Sequence, residues 1–583
     1  MKKRIRKFQK LLRKNRRFRK LMFILLCVIV AFIIILIGAG IFKKLSSKTL
    51  TISINSEPET LDPAYSSCAD YETLNACLFE GLMKNDENGN PKEAGCSSYA
   101  VSDDGLVYTF YISKDAYWSN GLKVTSADYA YAWGRAADAS RNPQYAYLFD
   151  NIALVEKFVD NNGKVIDKEE TTTKKEEETT EQTSKEERTF EFETTYVLNV
   201  NSKSEDVLVV TLKKPDSTFL NKCAMGVFSP VCKSVVEKET RIWGFTPDIF
   251  VSNGAYTLSG WTNGSNIILE KNDKYYDVSK KSPKNIKVYF ADEENDAFSL
   301  FKNKTVLYSS CVSGEKIESF KNEDGFYMND DYGTYYICFN QSIEPFNDLD
   351  VRRALSLAIN REKIISSIDG LCANAANSIL SPAFVDASNN SIFESIENKT
   401  DVSKKRMKEN ISLAKELLSK AGYPDGEGFP QFEYSFNDNE IHEKIAQMIA
   451  KMWEDELNIK CSVKKLNFDT FMSNRSHHNF DAVRGGGVSL YNDATALFEN
   501  LTSENNYFFY NNKRIDALVK KMSKTPDLAQ RSLLFIETEK IIANDDAVCP
   551  IYWYSNAYLA SKRLKNFYVL PNGVAYFDKV YIR

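Results

Sequence analysis

The segment Val483-Arg484-Gly485-Gly486-Gly487-Val488-Ser489-Leu490-Tyr491-Asn492-Asp493-Ala494-Thr495 concentrates groups that can hold a ligand without transforming it. Three successive glycines let a second backbone come close, because no Cβ stands in the way. Beside them stand a guanidinium, hydroxyls, a phenol, a carboxamide and a carboxylate. The run is not a phosphate loop: no lysine follows the glycines and the spacing is wrong. Catalytic signatures are missing. There is no GxSxG, no HExxH and no Ser-His-Asp constellation among only three histidines. His477-His478 lies in the polar stretch Ser473 to Asn479, where adjacent histidines read as solvent-exposed rather than metal-bound. No enzyme, metal or cofactor is expected.

The elements that must carry such a segment are alternating strands and helices. Ile267-Ile268-Leu269, Ile286 to Phe290, Tyr335 to Phe339 and Cys549 to Tyr554 read as strands, and Phe567-Tyr568-Val569 resumes that character near the end. Val351 to Ile365, Lys408 to Ala421 and Ile441 to Glu456 have helical spacing. In WSNGLKVTSADYAYAW, from Trp118 to Trp133, Asn120-Gly121 predicts a tight turn and Thr125 a helix N-cap, with Asp128 in the first turn. Residues 168–188 contain no apolar side chain, so burial cannot offset their ordering entropy; a disordered insertion over about 160–192 is expected.

Of 583 residues, 43% are apolar and 13% aromatic, enough for two or three cores. The first twenty residues carry twelve Lys or Arg and no acid, and Leu21 to Phe42 has no charge at all. Twenty-two residues at ~1.5 Å each span ~33 Å, a bilayer core, with the basic flank held in the cytoplasm. A single-pass signal anchor at 21–42 after a basic cytoplasmic segment 1–20 is therefore expected. It is favoured over a cleaved signal peptide, whose apolar region is shorter. The remainder then carries about −16 of net charge, which argues against nucleic acid as a partner. Eleven cysteines show no CxxC and no zinc spacing, and their redox state stays open.

A set of ordered motifs narrows the reading. Ser56-Glu57-Pro58-Glu59-Thr60-Leu61-Asp62-Pro63 is followed by Leu78-Phe79-Glu80-Gly81-Leu82, Val107-Tyr108-Thr109-Phe110 and the Trp118 segment. Then come Asn253-Gly254-Ala255-Tyr256, Leu269-Glu270-Lys271-Asn272, and Val351 to Arg361. Ala421-Gly422-Tyr423-Pro424 and Phe480-Asp481-Ala482-Val483-Arg484 complete the series. Over about residues 50–583 this series resembles the oligopeptide-binding proteins of bacterial ABC importers, extracellular solute-binding protein family 5.

The resemblance implies an α/β, two-lobed, type II periplasmic-binding-protein-like fold with an extra domain. Lobe I would comprise 49–80, 230–332 and 560–583; the extra domain 81–229; and lobe II 333–559. It also implies a monomeric receptor that closes on an oligopeptide and serves an ABC permease and its ATPase subunits at the outer face of the cell membrane. A membrane-tethered peptide sensor, or the same fold holding a non-peptide ligand, is the alternative. A peptide of varied sequence must be gripped by its main chain and its terminal charges. By resemblance, Arg484, Arg475 and His442 offer cations to a peptide carboxylate. Gly485, Gly486, Gly487, Ser489, Tyr491, Asn492 and Asp493 line one lobe, while Cys68 and Ala69 supply backbone bonds from the other. Tyr145 and Tyr147 are candidate pocket walls. The family's aspartate for the peptide α-ammonium is Leu490 here, with Asp493 or Glu499 as candidate substitutes. The positions of a family disulfide are Val488 and Gly333, so both halves are missing together.

Overall fold

The computed structural model describes residues 49–159, 165–166, 193–239, 242–277, 279–291, 297–310, 317, 324–397 and 399–583. The expected signal anchor at 21–42 and most of the expected disordered insertion at 160–192 lie outside these residues. No helix among the described residues is long and apolar enough to cross a membrane.

An eleven-stranded mixed sheet forms the frame. Its strands, numbered here in chain order, are β1 (Thr49–Ile54), β2 (Tyr256–Thr262), β3 (Asn266–Lys271), β4 (Asn285–Phe290), β5 (Tyr308–Ser309) and β6 (Phe326–Phe339). Then follow β7 (Ala373–Ala375), β8 (Phe432–Asn437), β9 (Cys461–Leu466), β10 (Ala482–Val488) and β11 (Cys549–Ala560). The spatial order is β2-β3-β4-β1-β5-β11-β6-β10-β8-β9, with β7 beside β11. The strands expected at 267–269, 286–290, 335–339 and 549–554 all fall inside these elements.

The two lobes meet along β6 and β11. These antiparallel strands pair from Phe326↔Leu559 to Asp330↔Ser555, lose register, and resume at Thr334↔Trp553. On one side of that break lies a core containing Leu50, Ile52, Ile54, Ile286 and Val288, which extends without interruption to Trp118, Trp133 and Phe110. On the other side, helices cover both faces of β6, β10 and β8. Val351, Leu355, Ile449 and Trp453 pack on one face with Tyr335 and Ile337. Phe498, Phe535 and Met522 pack on the other with Tyr336 and Cys338. A side chain period of two along β6 sends neighbouring tyrosines into opposite cores.

Local chemistry explains the junctions. Thr125 and Asp128 form a capping box at helix Ser126–Ala136, and Asp128 also accepts from Trp118 Nε1 at 3.3 Å. Gly121 takes φ 90° in the predicted turn. The 351–365 segment, read as one helix, is two: Leu349–Leu357 and Arg361–Ser367, because Asn360 caps the second by accepting from Lys363 N at 2.9 Å. The identifying residues Glu57 and Asp62 hold the frame. Glu57 accepts from Trp261 Nε1, and Asp62 pairs with the buried Arg135 guanidinium.

Candidate functional site

Strand β10 has partners on both edges only at its start. Beside β8 it pairs at Ala482 and Val483 alone, whereas beside β6 it continues to Val488. From Arg484 to Val488 one edge therefore carries no strand among the described residues. An extended ligand can add there through backbone hydrogen bonds that ignore its side chains.

One face of this region gathers aromatic and cationic groups. Arg484 Nη2 donates to Tyr554 Oη at 3.3 Å, and its guanidinium stands 5.3 Å from the centre of the Tyr335 ring. Its Nε is buried with no acceptor. The Asp481 carboxylate, a candidate partner by sequence proximity, accepts from Glu433 N at 2.9 Å instead. His442 sits in the first turn of helix Glu440–Leu457, capped by Asn439, with its ring 5.6 Å from that of Tyr335 and its Nδ1 unpartnered. Burial, and secondarily the charge of Arg484, push its imidazole down to about 4. This environment favours the neutral imidazole over the cation expected from the resemblance. Arg475 stacks over Tyr507 at 3.9 Å, and its Nε is likewise buried without an acceptor. Among the described residues neither arginine has an ion pair.

The glycines have distinct roles. A Cβ at Gly485 would stand 2.3 Å from the Tyr336 ring, so this position is fixed by packing inside the lobe. At Gly486 a Cβ would approach the Tyr554 hydroxyl at 3.0 Å and the Arg484 Nη2 at 3.5 Å, on the aromatic face. Gly487 has only Leu497 near it. Gly333 lies directly opposite Val488, and its Cβ would meet Val488 Cγ2 at 2.7 Å. The two positions where the resemblance places a disulfide are thus true cross-strand neighbours.

The next four residues of interest are occupied internally. Ser489 donates to the carbonyls of Tyr491 and Asp493 at 3.0 and 2.7 Å. Tyr491 sinks into the core of the opposite lobe and donates to Thr218 Oγ1 at 3.1 Å. Asn492 Nδ2 donates to Asn90 Oδ1 and to the Val385 carbonyl, both at 3.0 Å. Asp493 pairs with Arg531 Nε at 2.8 Å, the two side chains being 0% and 4% exposed. The Asp493 carboxylate is consumed by this pair, so the expectation that it substitutes for a carboxylate at 490 is corrected. Leu490 packs against the first-lobe core, and its carbonyl accepts from Asn572 Nδ2 at 2.9 Å.

Two cavities flank these strands. One of about 690 Å³ lies between Tyr147, Lys214 and Asp216 on one side and Leu490, Thr495 and Glu499 on the other. Tyr147 lines it, whereas Tyr145 is buried in the first-lobe core; burial raises the Glu499 carboxyl above its ordinary range. The other, of about 320 Å³, is lined by Cys68, Ala69, Asp70, Ser310, Asn556 and Tyr558. Cys68 is extended (φ −158°) and exposed at the start of helix Ala69–Leu78. All nine described cysteines are free thiols. His477 and His478 each place Nδ1 2.8 Å from a carbonyl oxygen, and no metal-binding cluster exists among the described residues.

Tyr554, which meets Arg484, and Asn556, which lines the smaller cavity, were not singled out from the sequence. The alternation Tyr552, Tyr554, Asn556, Tyr558 on β11 marks one face and is visible in the sequence. The free edge of β10 is not.

Comparison with known proteins agrees with this geometry. The family model for bacterial extracellular solute-binding proteins, family 5, matches residues 90–509. The chain is 25% identical over 557 residues to the oligopeptide-binding protein OppA of Bacillus subtilis, covering 94% of this chain and 95% of that one. It superposes with TM-score 0.75 on the unliganded open form of the periplasmic murein tripeptide-binding protein MppA, at 25% identity over 92% of this chain and 97% of that one. On OppA of Listeria monocytogenes bound to peptide, the TM-score is 0.58 at 24% identity, covering 92% and 99%. With its two-lobed α/β fold and a family match over most of its length, the chain belongs to the bacterial extracellular solute-binding proteins of family 5.

Proposed function

We propose that this protein is an extracytoplasmic receptor that captures oligopeptides by closure of its two lobes and delivers them to an ABC permease. The observation that carries the reading is the free edge of Arg484–Val488 beside two buried guanidinium nitrogens with no acceptor. A strand edge supplies main-chain bonds, and an arginine without a carboxylate is completed by a ligand carboxylate. The relatives named above are peptide-binding proteins by name, which supports the same reading. No step of bond making is required, and the protein acts as a monomeric binding component rather than an enzyme.

Hinge motion is assigned to the register break between Asp330 and Thr334 on β6, opposite Trp553 to Ser555 on β11, which supports a lobe boundary near 332/333 and draws the return crossing near 554 rather than at 559/560. The basic and apolar leader supports retention at the cell membrane through residues 21–42. Native mass spectrometry of the full-length protein, purified without denaturation and exposed to a peptide library, tests the reading. Bound masses that fragment as peptides support it. A protein that retains none and takes up none from the library refutes it.

A further inference from the structure

The chain that precedes β1 leaves from one end of the first-lobe sheet. Thr49 pairs with Asn285 on β4, Leu307 N donates to the Thr51 carbonyl at 2.8 Å, and Ser561 N donates to the Leu307 carbonyl at 2.8 Å. The segments just outside β4, β5 and β11 therefore gather at that end. Residues 279–284, 302–307 and 561–566 carry eight Lys or Arg and no carboxylate side chain, although the chain beyond the leader carries about −16 of net charge.

These segments form one surface. Leu564 and Lys565 pair with Ile582 and Tyr581, and Lys281 Nζ stands 5.6 Å from the centre of the Tyr581 ring. A cavity of about 400 Å³ joins 298–307 to 559–563. Phe298, Phe301 and Leu559 give it an apolar lining. Lys302, Lys304, Lys562 and Arg563 also border it, all four at exposed positions. Lys562 pairs with Asp324 at 2.8 Å and Lys284 with Glu270 at 3.3 Å, but exposed pairs of this kind hold their partners weakly. Lys280, Lys281, Lys302 and Lys304 have no ion pair among the described residues.

Residues 43–48 separate the apolar run ending at Phe42 from Thr49, and six residues reach at most ~20 Å. We propose that this end of the first lobe rests on anionic phospholipid headgroups of the membrane, phosphates meeting the lysines and apolar lipid carbons entering the cavity. The inference rests on retention through residues 21–42 as read above. Cations on apolar stems around an apolar hollow match an anionic amphiphile rather than a soluble polyanion. Basic side chains are drawn to such a surface within a Debye length of ~10 Å. From this end β1 runs toward the 320 Å³ cavity, which Asn55 and Ser56 line. A lobe resting so turns the cleft away from the bilayer, toward arriving solutes.

The test is lysine acetylation, read by mass spectrometry, of the full-length protein reconstituted in vesicles of phosphatidylcholine alone or with about 30% phosphatidylglycerol. With phosphatidylglycerol at about 50 mM salt, Lys281, Lys302 and Lys304 should react about fivefold more slowly than in phosphatidylcholine alone, and about 500 mM salt should abolish the difference. Lys405 and Lys408, exposed on the second lobe, should react alike in both. The triple variant Lys302→Glu, Lys304→Glu, Lys562→Glu should lose the protection of Lys281 at an unchanged melting temperature. Equal rates in the two lipids, protection of Lys281 that survives the charge reversal, or equal protection of Lys405 and Lys408 overturns the docking while leaving retention intact. Flotation of the same samples reads the retention separately. A protein that floats only with phosphatidylglycerol docks without an anchor, and one that floats with neither lipid refutes both readings.

Discussion

Two adjacent stretches of one segment, Arg484–Val488 and Ser489–Asp493, look alike as candidate binding residues and behave differently in the fold. In the first, a strand edge is unpaired and the Arg484 Nε has no acceptor among the described residues, and the glycines keep the surface low. In the second, every singled-out side chain is spent. Ser489 ties its own turn, Tyr491 and Asn492 bridge to the opposite lobe, and Asp493 neutralises Arg531. Polar residues near a cleft serve either the ligand or the frame, and the list of satisfied partners separates the two. The Ser489–Asp493 stretch fixes where the lobes meet; the Arg484–Val488 stretch is left for something else to complete.

The sharpest way to break this division is at Asp493. Asp493→Ala strands a buried Arg531 and should cost about 3–5 kcal/mol of stability, read as a lower melting temperature. Retained melting temperature with lost ligand binding would move Asp493 to the ligand side. Arg484→Met should behave oppositely. Its affinity for peptides should fall by about 2–3 kcal/mol, with melting temperature unchanged or raised, because no internal ion pair is lost. Gly485→Ala forces a methyl into the Tyr336 ring and should destabilise by about 1–3 kcal/mol, whereas the same change at Gly487 should cost less, since only Leu497 must yield. The smallest effect belongs to His442. Its folded value is lowered from 6.5 to about 4, so the unfolded chain binds the extra proton between those values. Its contribution is complete above about pH 6.5 and lost as pH falls toward 4; solvent screening of this half-buried ring cuts the full linkage value of about 3 kcal/mol to about 1 kcal/mol, and His442→Gln should flatten that part of the stability-pH curve.

Much of the frame was legible because its signals are local. Asn120-Gly121, the Thr125–Asp128 cap and the period-two run in β11 each report on a few neighbouring residues. The helix break at Ile359 was not, since Val351 to Ile365 keeps its apolar spacing while Asn360 starts a new helix. The site was half legible. Arg484, Arg475 and the paired substitution at Gly333 and Val488 were visible through the ordered motifs. That Asp493 is sealed by Arg531, 38 residues away in sequence, and that Gly333 faces Val488, depend on long-range pairing. Sequence spacing carries no record of either.

Arg484 is the receiver of the ligand carboxylate in the proposed binding mode. Titrating the full-length protein and its Arg484→Met variant with a tripeptide library, free or amidated at the C terminus, measures it. The wild type should prefer the free carboxylate by about tenfold or more, and Arg484→Met should bind both forms equally. Equal wild-type affinity for the two forms, or a preference that persists without Arg484, would contradict it.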